Sequence, residues 1–269
     1  MDLFEQLTLA VPSEHRSIQA RPGKFPESVN ECWFGVPSHR SRDWDVLQRI
    51  PEEATAFNFL LGNECTELFS AFARSPWART VKSLSVGASC YYKGARVNYE
   101  DVSKIVAATK FPALERLDLG VWELFSNSHG SYGKLGDITD LFENCPSLKV
   151  LNVMGNFELS RPIAHGKLME IVFGQDDYVT SLNGGGISNE TLRHLLCGIF
   201  PNLRALEVAT DIHKPAIQYS LPEEFLRGVG LPMLRKLYVS GNFGAHEEER
   251  LQGSALAKIA HIDFEATDE

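Results

Sequence analysis

Long apolar runs are missing from this chain of 269 residues. None approaches the roughly 18 residues of a membrane-spanning helix, so no membrane partner is expected. Positive charge is also in short supply: 26 Lys and Arg stand against 35 Asp and Glu, a net charge of −9. That balance argues against nonspecific binding to nucleic acid. The five cysteines are an odd number without paired spacing, as expected of reduced thiols in a cytoplasmic protein. Met1 to Arg16 contains Asp2, Glu5 and Glu14 and lacks the basic-then-apolar order of a secretory signal. Chemical motifs are equally scarce. No His-x-x-x-His or Cys-x-x-Cys pair occurs, so no local zinc site is expected. There is no Gly-x-Ser-x-Gly elbow. Asn183-Gly184-Gly185-Gly186 lacks the context of a phosphate cradle and reads as a turn into the following helix. No cofactor or metal is expected.

Present instead is enough apolar material for a core, 43% of the residues, arranged periodically. Four segments nearly superimpose: FPALERLDL from Phe111, CPSLKVLNV from Cys145, FPNLRALEV from Phe200 and LPMLRKLYV from Leu231. A relaxed form of the pattern adds Ala54/Phe57/Phe59, Val81/Leu84/Val86, Leu168/Ile171/Phe173 and Ile259/Ile262/Phe264. Their middle apolar positions are Phe57, Leu84, Leu117, Leu151, Ile171, Leu206, Leu237 and Ile262, on average about 29 residues apart. Alternation at the end of each segment predicts a short strand. Between strands, Cys65/Leu68/Phe69/Phe72, Val102/Ile105/Val106, Ile138/Leu141/Phe142/Cys145 and Leu192/Leu195/Leu196/Ile199 form helical stripes. Ser188 or Asn189 can cap the last of these, and Asn98 with Asp101 suggests a capping box. The 20 residues from Leu151 to Ile171 leave room for a loop but hardly for a helix.

The Pro-x-Leu-x-x-Leu copies resemble the leucine-rich-repeat family, in its intracellular type with helical convex segments. The resemblance covers roughly residues 50–266 and implies an α/β solenoid of about eight irregular repeats. A curved parallel sheet would line its concave face, with helices on the convex face. The family's Asn three residues after the strand appears only at Asn156 and Asn242, so a continuous Asn ladder is not expected. A βαβ-type α/β domain is the second fold reading. Residues 1–50 carry no repeat and read as an N-terminal cap or a partner-binding arm, followed by the solenoid over 51–269.

If the apolar strand positions point inward, the residues between them face the concave side. Asp118, Asn152, Glu207, Tyr238 and Asp263 stand there, with Arg116 and Lys236 in the preceding column. Tyr91, Tyr92 and Trp122 in the loops suggest an exposed aromatic rim. Phe157 and Phe243 either join that rim or fold inward to plug it. Glu247-Glu248-Glu249 reads as a solvated helix face. The expected role is non-enzymatic: a protein-binding module or scaffold whose partner is another protein with a basic surface. An inhibitor or immunity protein that occludes a basic enzyme such as a nuclease toxin is the alternative. A hydrolase using His129 or His165 is the competing class.

Overall fold

The computed structural model describes residues 3–10, 16–19, 31–35, 45–46, 50–61, 66–88, 100–120, 134–174, 187–210 and 217–266. The apolar alternation of each repeat copy produces one strand, and these strands join edge to edge. An 11-stranded sheet results. Its strands are β1 (Arg16–Gln19), β2 (Glu31–Gly35), β3 (Asp45–Val46), β4 (Ala56–Leu61), β5 (Ser83–Ala88), β6 (Arg116–Leu119), β8 (Val150–Met154), β10 (Glu170–Gly174), β11 (Ala205–Ala209), β12 (Lys236–Gly241) and β13 (His261–Ala266). A separate parallel pair is formed by β7 (Lys134–Asp137) and β9 (Asn156–Glu158).

From β2 to β13 every pairing in the large sheet is parallel and follows chain order. Only β1 and β3, at one edge, run antiparallel to their neighbours. The parallel ladder therefore begins at residue 31, one strand earlier than the repeat pattern predicts. All eight sequence anchors fall in one lateral column, Phe57–Leu84–Leu117–Leu151–Ile171–Leu206–Leu237–Ile262. Because side chains alternate along a strand, the apolar positions two residues on share that face. Leu117, Leu151 and Ile171 are fully buried there, as are Leu119 and Val153.

Parallel strands need crossovers, which the helices help to supply. They are α1 (Leu3–Ala10), α2 (Thr66–Arg74), α3 (Trp77–Thr80), α4 (Glu100–Ala108), α5 (Leu141–Asn144), α6 (Asn189–Leu196), α7 (Glu223–Leu226) and α8 (Glu247–Gln252). α2 buries Leu68, Phe69 and Phe72, the stripe read from its spacing. Cys65 of that stripe and Asn98 lie outside the described residues. At this end the core is aromatic: Phe72 lies 5.0 Å from both Phe57 and Phe59, and Phe4 of α1 packs edge-on against Phe72 at 5.2 Å. Ser188 caps α6 by accepting from Thr191 N at 3.0 Å, whereas Asn189 donates to Gln218 O. Ile199 departs from its predicted stripe. α6 stops at Leu196, and the Ile199 side chain is 58% exposed.

Close spacing of the rungs demands glycine at Gly230, where φ is +87° and a Cβ would meet Gly198 O at 2.4 Å. Cross-rung amide bonds occur at Asn242, which donates to Ile217 O. Asn144, at the end of α5, and Asn202, in the turn before β11, make comparable bonds, to Ala107 O and Gly166 O. Glu247 corrects the sequence reading of a solvated acidic face. It is buried, accepts from Leu221 N at 3.0 Å and pairs with Arg250 at 2.6 Å.

The shortest repeat is closed by a histidine instead of a helix. His165 is buried, and its Nδ1 accepts from Leu168 N at 3.0 Å and Lys167 N at 3.2 Å. With Nδ1 accepting, Nε2 carries the proton and donates to Cys145 O at 3.0 Å. Burial holds the imidazole below its ordinary range, and the Lys167 charge adds to that, against the upward pull of the Cys145 bond.

Two outcomes are expected. Leu151→Ala should cost about 2–5 kcal/mol in a urea titration, because a fully buried anchor between two rungs leaves a cavity. For His165 the unfolded chain binds the proton first as pH falls. Its contribution to stability is therefore full above about pH 6.5 and is lost as pH drops towards the lowered folded value. The thermal midpoint should fall more between about pH 7 and 5 in the wild type than in His165→Gln.

Candidate functional site

Opposite the core, the same strands carry the residues that alternate with the anchors. One lateral column runs Asn58–Ser85–Asp118–Asn152–Val172–Glu207–Tyr238–Asp263. A second, two residues earlier on each strand, includes Arg116, Glu170, Lys236 and His261. Tyr91, Tyr92 and Trp122 lie outside the described residues, as does His129.

The first column changes character along its length. Asn58 and Ser85 are 3% exposed and Asp118 is 2% exposed. A carboxylate buried to that degree needs compensation, and Asp118 has it from three side chains. Arg116 donates from Nε to Oδ2 at 2.8 Å and from a terminal nitrogen to Oδ1 at 2.9 Å. Ser85 Oγ donates at 3.0 Å and Asn152 Nδ2 at 2.6 Å, each from a neighbouring rung. Asp118 and Arg116 thus tie three rungs together and are taken up by one another. They offer a partner little, against the expectation that both sit at a contact surface.

At the other end the face opens. Glu170, Val172, Glu207, Lys236, Tyr238 and Asp263 line a hollow of about 590 Å³ over β10 to β13. Glu207 and Lys236 are exposed, Tyr238 is half-buried and the Asp263 side chain is 63% exposed. Tyr238 Oη donates to Glu265 Oε2 at 2.9 Å, which brings a fourth carboxylate to the rim. Ser240 works to lower the phenol's pKa, but burial, the Glu265 bond and the charges of Glu265 and Glu207 carry it above its ordinary value. The ring therefore stays a neutral, hydrogen-bonded platform at neutral pH. His261 Nε2 lies 3.2 Å from Asp263 Oδ1 and is charged only when protonated. Strand alternation from Asp263 places Glu265 on the same face.

Phe157 and Phe243 fold inward. Phe157 stacks on Phe173 at 4.6 Å, and Phe243 lies 5.7 Å from Tyr219. Nucleophile chemistry has little support among the described residues. Burial pushes the Cys145 thiol up to about 12 and also raises Cys197, while His165 spends both ring nitrogens on main chain. Among the described residues, no three His, Cys, Asp or Glu side chains gather as a metal site requires. No described helix is long and apolar enough to cross a membrane.

No family model and no curated protein matches the chain. A crystal structure of a Bacteroides fragilis protein is similar with a TM-score of 0.33 and 13% identity, over 79% of this chain and 74% of that one.

Asp118→Ala strands Arg116, Ser85 and Asn152 without their common acceptor. It should lower stability by about 2–3 kcal/mol, less than a dry ion pair would cost because Arg116 reaches solvent. A shifted urea midpoint at unchanged slope is the expected reading.

Proposed function

We propose that the chain is a leucine-rich-repeat solenoid that binds a basic segment of another protein in the acidic hollow over β10 to β13. The lateral alignment of eight repeat anchors supports the repeat reading, with the sheet as concave face and the helical segments behind it. Residues 1–50 then act as an N-terminal cap, with Phe4 and Phe34 packed against the first repeat's Phe57 and Phe59. The observation that carries the binding reading is the hollow itself: four carboxylates, one lysine and a half-buried tyrosine across adjacent strands. Unlike Asp118, Asp263 is well exposed, so cations arriving from solution can reach this end.

Lys and Arg side chains suit such a surface, and Tyr238 adds an aromatic face for a guanidinium. Carboxylates gathered on one face repel one another, and a basic partner relieves that repulsion. The role is binding without catalysis, consistent with the occupied His165 and the raised thiols. Concentrated acidity at one end also favours a second reading, in which the chain occludes a basic enzyme such as a nuclease toxin. The two share one contact chemistry and differ in what happens to the partner's activity.

Crosslinking in cells identifies the partner, and titration then tests the face. Glu207→Lys combined with Tyr238→Ala should weaken binding by about tenfold or more while leaving the thermal transition in place. Affinity should also fall as salt rises. Unchanged affinity in the double variant contradicts the proposal. Loss of the partner's activity on binding selects the inhibitor reading, and retained activity selects the scaffold.

A further inference from the structure

β13 is built like its predecessors, but among the described residues its core side has less cover. β13 ends the sheet order, so among the described residues one of its edges has no neighbouring strand. Its core-side residues Ile262 and Phe264 are half-buried, whereas Leu237 and Val239 in the same places on β12 are 1% and 0% exposed. Ile259 is 48% exposed, against 1% for its equivalent Leu234. On the other face β13 presents His261, Asp263 and Glu265. The edge therefore combines main-chain hydrogen-bonding capacity, an apolar row and an acidic row, alternating residue by residue.

We propose that β13 receives an extended segment of a partner protein as an added strand, with basic and apolar residues alternating in that segment. An added strand lies about 4.8 Å away, with its side chains in register with those of β13. Its basic residues stand beside Asp263 and Glu265, and its apolar residues cover Ile262 and Phe264. Charge selects this occupant over a second copy of the chain. Face-matched antiparallel pairing of two β13 strands over most of their length sets Asp263 opposite Asp263 or opposite Glu265, and like charges directly opposed are destabilising. An anionic lipid surface meets the same acidic row. The inference rests on the acidic face being the binding face, and it names the form of the segment that binds there.

The test uses the full chain and synthetic peptides of about six residues, the length of one strand. One peptide alternates lysine and valine, a second has the same composition in two blocks, and a third alternates glutamate and valine. The alternating basic peptide should bind about tenfold or more tighter than the other two, and should slow amide exchange over residues 261–266. Asp263→Lys with Glu265→Lys should reverse the preference towards the glutamate peptide. Equal binding of the alternating and block peptides overturns the inference, as does an absence of binding. Protection over β10 to β12 without β13 overturns it too, and leaves the reading of the hollow standing. Conversely, partner binding that ignores the Glu207→Lys, Tyr238→Ala double variant defeats the hollow and leaves the edge result intact. Self-association of the free chain that Asp263→Lys abolishes makes a second copy the occupant and overturns the inference.

Discussion

Everything in this protein depends on lateral register. A single repeat strand with its apolar face has nothing to bury that face against. The anchors Leu117, Leu151 and Ile171 reach zero exposure because each lies between neighbouring rungs in one column. A shift of one residue in any strand would turn its apolar row to the open side and its polar row into the core. The same constraint that makes the core therefore makes the open face. Residues such as Val172, Glu207, Tyr238 and Asp263, far apart in sequence, become neighbours at strand spacing because the anchors beside them are aligned.

That arrangement divides the open face into two parts along the length of the sheet. At the end nearer the N-terminus, polar residues of the open face are consumed internally, Asp118 most of all. Behind them the core is crowded with phenylalanine rings. Towards β13 the core becomes largely aliphatic and the face opens, with Glu207 and Asp263 exposed on it. Surface charge here is a local property. The chain-wide excess of acids is spread over many ordinary positions, some of them buried and paired, as Glu247 is with Arg250. The hollow matters because its acids share one face within a few strands.

How much of this was legible in the sequence differs between the core and the surface. The anchors were readable because burial selects for the same apolar spacing in every copy, and even the degenerate copies at Phe57 and Ile262 fell into register. Strand alternation likewise placed the open-face column correctly. The exposure of that column was hidden, because it depends on cross-rung partners such as Ser85 and Asn152 closing on Asp118. The structural role of His165 was hidden for a related reason. A lone histidine in a short loop gives no sequence signal for main-chain groups that converge on it from elsewhere. Glu247 misled for the opposite reason, since a run of three glutamates looks solvated until one is found accepting from Leu221 N. The inward turn of Phe157 and Phe243 was left open by the pattern and decided by ring partners on neighbouring segments.

Binding on the open face of β10 to β13, apart from the helical side, as proposed, would leave its mark on the main-chain amides of those strands. Amide hydrogen exchange of the full chain, free and bound to its crosslink-identified partner, tests this most directly. Slowed exchange on binding is expected within residues 170–174, 205–209, 236–241 and 261–266, with α2, α4 and α6 unchanged. Protection confined to the helices, with those strands unaltered, would contradict it.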